Sequence, residues 1–140
     1  MKIRGFSIIE VLVSLCLFFI SLAPLMKYNN ESLLINRRYL EIEKSYKNFL
    51  CIEKQLRNKD IEILKKSLGK REYTKESLGN DELTKDMYIP YELNEEFKLL
   101  TEIEQIDFIS GEEKYMYLQL KVVYMDKNKK NISANYIING

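Results

Sequence analysis

Arg4-Gly5-Phe6-Ser7-Ile8-Ile9-Glu10-Val11-Leu12-Val13 opens an apolar run that lasts to Met26 and is broken by Ser7, Glu10, Ser14 and Ser21. About 20 such residues at ~1.5 Å rise per residue match the ~30 Å hydrocarbon core of a bilayer, so the run reads as one membrane-crossing helix. Glu10 is the odd member. A carboxylate in a span costs up to ~3 kcal/mol at the centre and less near the interface, and residues retained at that cost usually serve a partner. Outside the run, Lys2 and Arg4 precede it and Lys27 follows it.

The residues around Glu10 carry a resemblance. A short basic leader, Gly5 followed by Phe6, and an acid four residues after the Phe make Gly5-Phe6-Ser7-Ile8-Ile9-Glu10-Val11-Leu12-Val13-Ser14-Leu15 similar to the class III signal of the type IV pilin family, which includes the pseudopilins of type II secretion and of DNA uptake. The match covers roughly the first 25 residues. The resemblance implies that a prepilin peptidase cuts between Gly5 and Phe6 on the cytoplasmic side, and that the new Phe6 amine is N-methylated. It further implies that Glu10 pairs with that amine in a neighbouring subunit during assembly. Positions four apart also share a helix face, so the Phe6 amine and Glu10 can pair within one chain. Breaking such a pair in a low dielectric leaves an unpaired buried charge and costs several kcal/mol.

Three other readings of the same run were weighed against this one. Ser21-Leu22-Ala23 has the small-x-small pattern of a secretory signal peptide, but Pro24 would follow the cut and Glu10 would sit in the apolar region. A lipoprotein signal ending at Cys16 has Leu15 where a small residue belongs. An uncleaved single-pass anchor on an unrelated extracytoplasmic domain needs no motif at all. Lys2 and Arg4 favour a cytoplasmic N-terminus, although Lys27, Arg37 and Arg38 follow closely on the other side.

The 140 residues suffice for one domain. Twenty-two Lys and Arg against 21 Asp and Glu favour neither an acidic nor a basic partner. Mean hydropathy is mildly negative despite the apolar start, so the remainder is a polar, Lys- and Glu-rich domain. Cys16 and Cys51 would lie ~50 Å apart on a continuous helix, too far for a bridge within one chain. With no histidine, they also cannot make a tetrahedral zinc site.

Pro24 predicts a kink or loosening near the outer membrane face, and Asn29-Asn30, with Ser32 as a cap, marks a second soft spot; a curved but unbroken helix is the alternative. From Glu31 to Leu56, the residues Ile35, Tyr39, Ile42, Tyr46, Phe49 and Leu56 recur at steps of four and three, with Glu53 as the one interruption. This amphipathic stripe is expected to be core. A short second helix runs from Asp60, as cap, through Ile61, Leu64 and Leu68 to Gly69 as stop. Between Lys70 and Glu96 no period holds, and Gly79-Asn80-Asp81 and Ile89-Pro90 punctuate an irregular connection suited to partner contacts.

The last third switches to period two. Met116, Leu118, Leu120, Val122 and Tyr124 alternate with residues such as Gln119 and Lys121, and Ile132, Ala134, Tyr136 and Ile138 repeat the pattern. Between Phe97 and Ile109 the apolar phase slips from Phe97, Leu99 and Ile103 to Ile106 and Phe108, which predicts a bulge or bend. Turns at Ser110-Gly111-Glu112-Glu113 and from Asp126 to Asn131 join a meander of about three antiparallel strands. The fold class is therefore α+β: a long N-terminal helix, transmembrane then amphipathic, packed on a small antiparallel sheet. The expected division is a leader over 1–5, a transmembrane half over 6–26 and an extracytoplasmic domain over 27–140.

No catalytic constellation, cofactor motif or metal motif stands out. Asp126 and Asn128 sit at alternate turn positions as calcium ligands would, but the later glutamate is missing and a plain turn is the better reading. Lys127, Lys129 and Lys130, or Arg37 and Arg38, could meet nucleic-acid phosphates, although lysines at a turn are usually just solvated. Ten tyrosines suit protein interfaces, and half of them look like core or strand residues. The function implied is that of a minor pilin or pseudopilin in a type IV pilus, a type II secretion pseudopilus or a DNA-uptake pilus. Its partners would be the prepilin peptidase, other pilin subunits, the inner-membrane assembly platform and the membrane. A pilus-tip binding module (adhesin or DNA receptor) and an uncleaved anchored domain are the alternatives.

Overall fold

A computed structural model describes residues 7–110, 113–127 and 131–139. The element order is α1 (Ile8–Arg57), α2 (Ile61–Lys66), β1 (Gly69–Thr74), β2 (Lys98–Ser110), β3 (Glu113–Met125) and β4 (Ile132–Asn139). The chain divides into two compact units within α1, between Ile42 and Glu43.

In the first unit, the residues of α1 are almost all exposed. The helix passes through Pro24 and Asn29-Asn30 as one element, so of the two expectations there the unbroken helix holds. A single proline removes one N–H from the ladder while its neighbours keep theirs. Two hydroxyls in the apolar run are satisfied on the helix itself: Ser14 Oγ donates to the Glu10 carbonyl and Ser21 Oγ to the Phe18 carbonyl, both at 2.7 Å. Neither hydroxyl therefore needs a polar partner outside the helix, as a lipid-facing segment requires.

The second unit begins at Glu43 and holds the core. Phe49, Ile52 and Leu56 on the last turns of α1 pack with Leu64 of α2, Leu99 and Ile103 of β2, and Leu118, Leu120 and Val122 of β3. Tyr124 lies between Phe49 and Phe97, with ring centroids 6.4 and 5.3 Å away. The expected stripe is only half core. Phe49 and Leu56 are buried with Ile52, whereas Ile35, Tyr39, Ile42 and Tyr46 are exposed. Periodicity marks an apolar face but not where its cover ends. Glu53, the interruption in the stripe, is itself buried on that face, its carboxylate is the main cause that raises the Tyr136 hydroxyl of β4, and the Arg57 guanidinium lies 5.3 Å from the same ring centroid. Together they tie the edge strand to the helix.

The sheet is antiparallel and four-stranded, in the order β1-β2-β3-β4. The extra strand is β1, which falls inside the stretch expected to be irregular. Gly-Lys-Arg-Glu-Tyr-Thr buries only Tyr73, as befits a charged edge strand, so no alternation of apolar residues announces it. Asp60 stands at the start of α2, but its side chain makes no capping bond. That helix ends at Lys66, before the expected Leu68, and Gly69 with φ +103° opens β1 instead. The expected bulge is absent: β2 and β3 pair without a break from Lys98↔Met125 to Ser110↔Glu113. The slip in apolar phase has another cause. Opposed residues share a face, so Leu99, Thr101 and Ile103 point with Tyr124, Val122 and Leu120 into the core, while Ile106 and Phe108 share the outer face with Tyr117 and Tyr115. The backbone stays regular and the apolar residues change sides.

Candidate functional site

Of the residues read as functional, Gly5 and Phe6 lie outside the described residues, and Glu10 is in the first turn of α1. Glu10 N donates to the Ser7 carbonyl at 2.9 Å, and Ser7 N donates back to Glu10 Oε2 at 3.0 Å. This is the returning half of a capping box, in which an acid at the third helical position satisfies an orphan N–H before the first turn. Ser7-Ile8-Ile9-Glu10 carries the S-x-x-E signal for it, overlooked because the same glutamate was read for its charge. A negative side chain there also complements the positive end of the helix dipole. The capping contact places the carboxylate at the very start of the helix, on the side of the residues that precede it.

The helix that Glu10 opens is long and apolar enough to cross a membrane by length and composition. Lys27 and Tyr28 follow the apolar run, and a cation beside an amphipathic ring is what a membrane–water boundary accommodates.

In the second unit, side chains that the sequence did not single out fasten the long connection from Lys75 to Phe97. Asn48 and Gln55, two helical turns apart on α1, present their amides to an extended segment. Asn48 donates to the Tyr91 carbonyl and accepts from the Tyr91 N–H, each at 3.0 Å. Gln55 does the same with Tyr88, at 2.6 and 2.7 Å. A side-chain amide carries one donor side and one acceptor side, so each can stand in for a neighbouring strand. Pro90 lies between the two clamped tyrosines and has no N–H to satisfy.

A second fastening holds the connection to β1. Asp81 accepts from the Arg71 guanidinium, from Tyr73 Oη at 2.9 Å and from the Leu83 N–H at 3.1 Å. Burial pushes its carboxyl up, but the Leu83 N–H, the Tyr73 hydroxyl and Arg71 outweigh this and leave it below the usual value. The Tyr73 hydroxyl is raised by burial and by donating to that carboxylate. Asp126, weighed as a calcium ligand, is engaged too. It accepts from Ser45 of α1 and from the Lys127 N–H, and its companion Asn128 lies outside the described residues, as do Lys129 and Lys130.

The outer face of the sheet body is ionic. Glu102 of β2 sits between Lys70 of β1, at 2.7 Å, and Lys121 of β3, at 3.5 Å. Hydrogen bonding to Lys70 is the main cause holding the Glu102 carboxyl below its usual value. These residues line an open groove of about 460 Å³. Each of its charged groups is engaged in an ion pair, Arg71 with Asp81 and Glu72 with Lys98 outside the groove. Among the described residues no three His, Cys, Asp or Glu side chains gather as a metal site would need. Cys16 and Cys51 are both free thiols. No protein-family model, no curated protein and no solved structure matches the chain.

Proposed function

We propose that this chain is a minor pilin or pseudopilin, a membrane-inserted structural subunit that is cut after Gly5 and built into a filament of a pilus, secretion or DNA-uptake machine. The observation that carries the proposal is the sequence Gly5-Phe6-Ser7-Ile8-Ile9-Glu10 running into one apolar helix, from Ile8, long enough to cross a bilayer. The single helix from Ile8 to Arg57, with its last turns packed on an antiparallel sheet, supports the same reading. So does the apolar stripe of Ile35, Tyr39 and Ile42, which is exposed and suits helix-to-helix packing among subunits.

In this reading Glu10 has two tasks. In the inserted chain it caps its own helix through the Ser7 N–H. In the filament its charge meets the Phe6 amine that cleavage creates, within the chain or on a neighbour. The test is intact-mass and N-terminal analysis of the protein taken from membranes of cells with and without prepilin peptidase. A mature chain beginning at methylated Phe6, made only when the peptidase is present, is the expected result. A chain beginning at Met1 or Pro24 in both strains would overturn the proposal and leave an anchored or secreted domain.

A further inference from the structure

β2 and β3 are much longer than the strands beside them. β1 pairs with β2 only as far as Ile103, and β4 pairs with β3 only from Tyr117 onward. Glu104 to Ser110 and Glu113 to Met116 therefore form a two-stranded ribbon beyond the four-stranded body, and among the described residues nothing pairs with the outer edge of β2 over Glu104–Ser110. Burial ends with β1: every residue from Glu104 to Ser110 is exposed.

The ribbon also places apolar residues on the face that is ionic in the body of the sheet. On the body, the face towards α1 is apolar and the outer face carries Glu102 and Lys121. On the ribbon, the outer face carries Ile106, Phe108 and Tyr115 between Glu104 and Glu113, while the other face holds Ile109, Met116 and the Asp107–Lys114 ion pair at 2.9 Å, with Gln105 donating to Asp107. Phe108 is 57% exposed and Ile109 70%. Natural sheets protect a long edge with proline, charge, a bulge or a cover. This edge has no proline, its pairing with β3 has no bulge, and its charges are the two carboxylates Glu104 and Asp107, with apolar residues beside them.

We infer that the edge of β2 from Glu104 to Ser110 is a docking site for an extended, positively charged segment of a different polypeptide, which adds a strand in line with β1 and lays alternate apolar side chains over Ile106 and Phe108. Strand addition draws affinity from main-chain hydrogen bonds and specificity from alternate side chains. Charge selects the partner. Among the described residues the ribbon has three carboxylates, Glu104, Asp107 and Glu113, against the one cation Lys114, and Glu104 makes no ion pair. A second copy fits poorly: pairing two such edges over their full length, Glu104 against Ser110, sets Asp107 opposite its own copy, and directly opposed like charges destabilise a strand pair. The inference rests on the sheet alone and stands or falls apart from the proposed filament role.

The probe is a fluorescent heptapeptide, Thr-Thr-Val-Lys-Val-Thr-Lys. Run antiparallel to β2, it places its valines against Phe108 and Ile106 and its last lysine against Glu104. Binding to the full chain in non-ionic micelles is followed by anisotropy, and strand addition by hydrogen exchange of the 104–110 amides. The expected result is saturable binding that slows exchange there. It weakens about fivefold or more in Phe108→Ser and in Glu104→Lys, and a peptide with Glu in place of both lysines binds Glu104→Lys better than the original chain. Both substitutions are at exposed positions, and unchanged circular dichroism verifies folding. No binding at millimolar peptide, or binding that neither substitution alters, overturns the inference. So does Phe108-dependent dimerisation in sedimentation, which would make the occupant a second copy, and so does Phe108-dependent binding to phosphatidylcholine vesicles, which would make it a lipid surface.

Discussion

Replacing Asn48 by alanine tests how the long connection is held to α1. Asn48 is 2% exposed, and its amide bonds Tyr91 in both directions at 3.0 Å. Each lost bond costs about 1 kcal/mol net, and a Tyr91 amide or carbonyl left without a partner away from water raises that to about 1–3 kcal/mol. Tyr91 is itself only half-buried, so water can recover part of the loss. The sum is about 2–4 kcal/mol. In a unit of about 100 residues, 1 kcal/mol moves Tm by about 4–8 °C, so the expected fall is about 10–25 °C. Gln55→Ala removes the same kind of clamp from Tyr88, but at a more exposed site, and should cost about 1 kcal/mol or less. Near-ultraviolet circular dichroism in detergent-held full-length protein reports chiefly the buried tyrosines of the second unit, Tyr73 and Tyr124, because Tyr28 and Tyr39 of the first unit are exposed. A fall under about 3 °C for Asn48→Ala, or equal falls for both variants, would refute the reasoning, because unequal burial is what separates them.

Three further outcomes follow from the same contacts. The Asp81 carboxyl lies below its ordinary value in the folded chain, so its contribution is present above the unfolded carboxylate pKa of about 3.9 and is lost as pH falls through the lower folded value. Urea midpoints measured from pH 6 to pH 3 should converge for the original chain and Asp81→Asn at the acid end; curves that stay parallel would contradict this assignment. Glu10→Gln keeps a side chain able to cap Ser7 but removes the charge, whereas Glu10→Ala removes both. Hydrogen exchange in the first turn of α1 should quicken by about fivefold in Glu10→Ala and little in Glu10→Gln, a cap being worth about 1 kcal/mol. If filament incorporation fails equally in both variants, charge rather than capping is the property used in assembly; if Glu10→Gln assembles normally, the proposed pairing with the Phe6 amine is wrong.

The fold was legible where one residue type repeats against one environment. The apolar run to Met26, helical from Ile8 on, the alternation through β3 and β4, and the α+β class all rest on such repeats. β1 went unread because an edge strand that buries only Tyr73 has little periodicity to display. The phase slip in β2 reads in sequence as a bulge or bend, and the unbroken pairing leaves no bulge. A bulge and a change of apolar face give the same string of letters, and only the pairing with β3 distinguishes them. At the candidate site, Glu10 stood out for its chemistry, while its capping contact with Ser7 was spelled in the same four residues and missed.

The clamps show the limit most directly. Asn48 and Gln55 are ordinary polar residues of a charged helix, and Tyr88 and Tyr91 lie more than 30 positions downstream in a stretch without pattern. Nothing local links them, because a side-chain amide pairs with any backbone brought within reach. The sequence by itself determined what depends on neighbours along the chain: the membrane-length helix, the alternating faces of β3 and β4 and the carboxylate at residue 10. Only the tertiary structure decided which part of the amphipathic stripe is covered, which strands lie at the edges and where the outer edge of β2 runs on without a partner among the described residues, since burial and pairing depend on segments that meet only once the chain has folded.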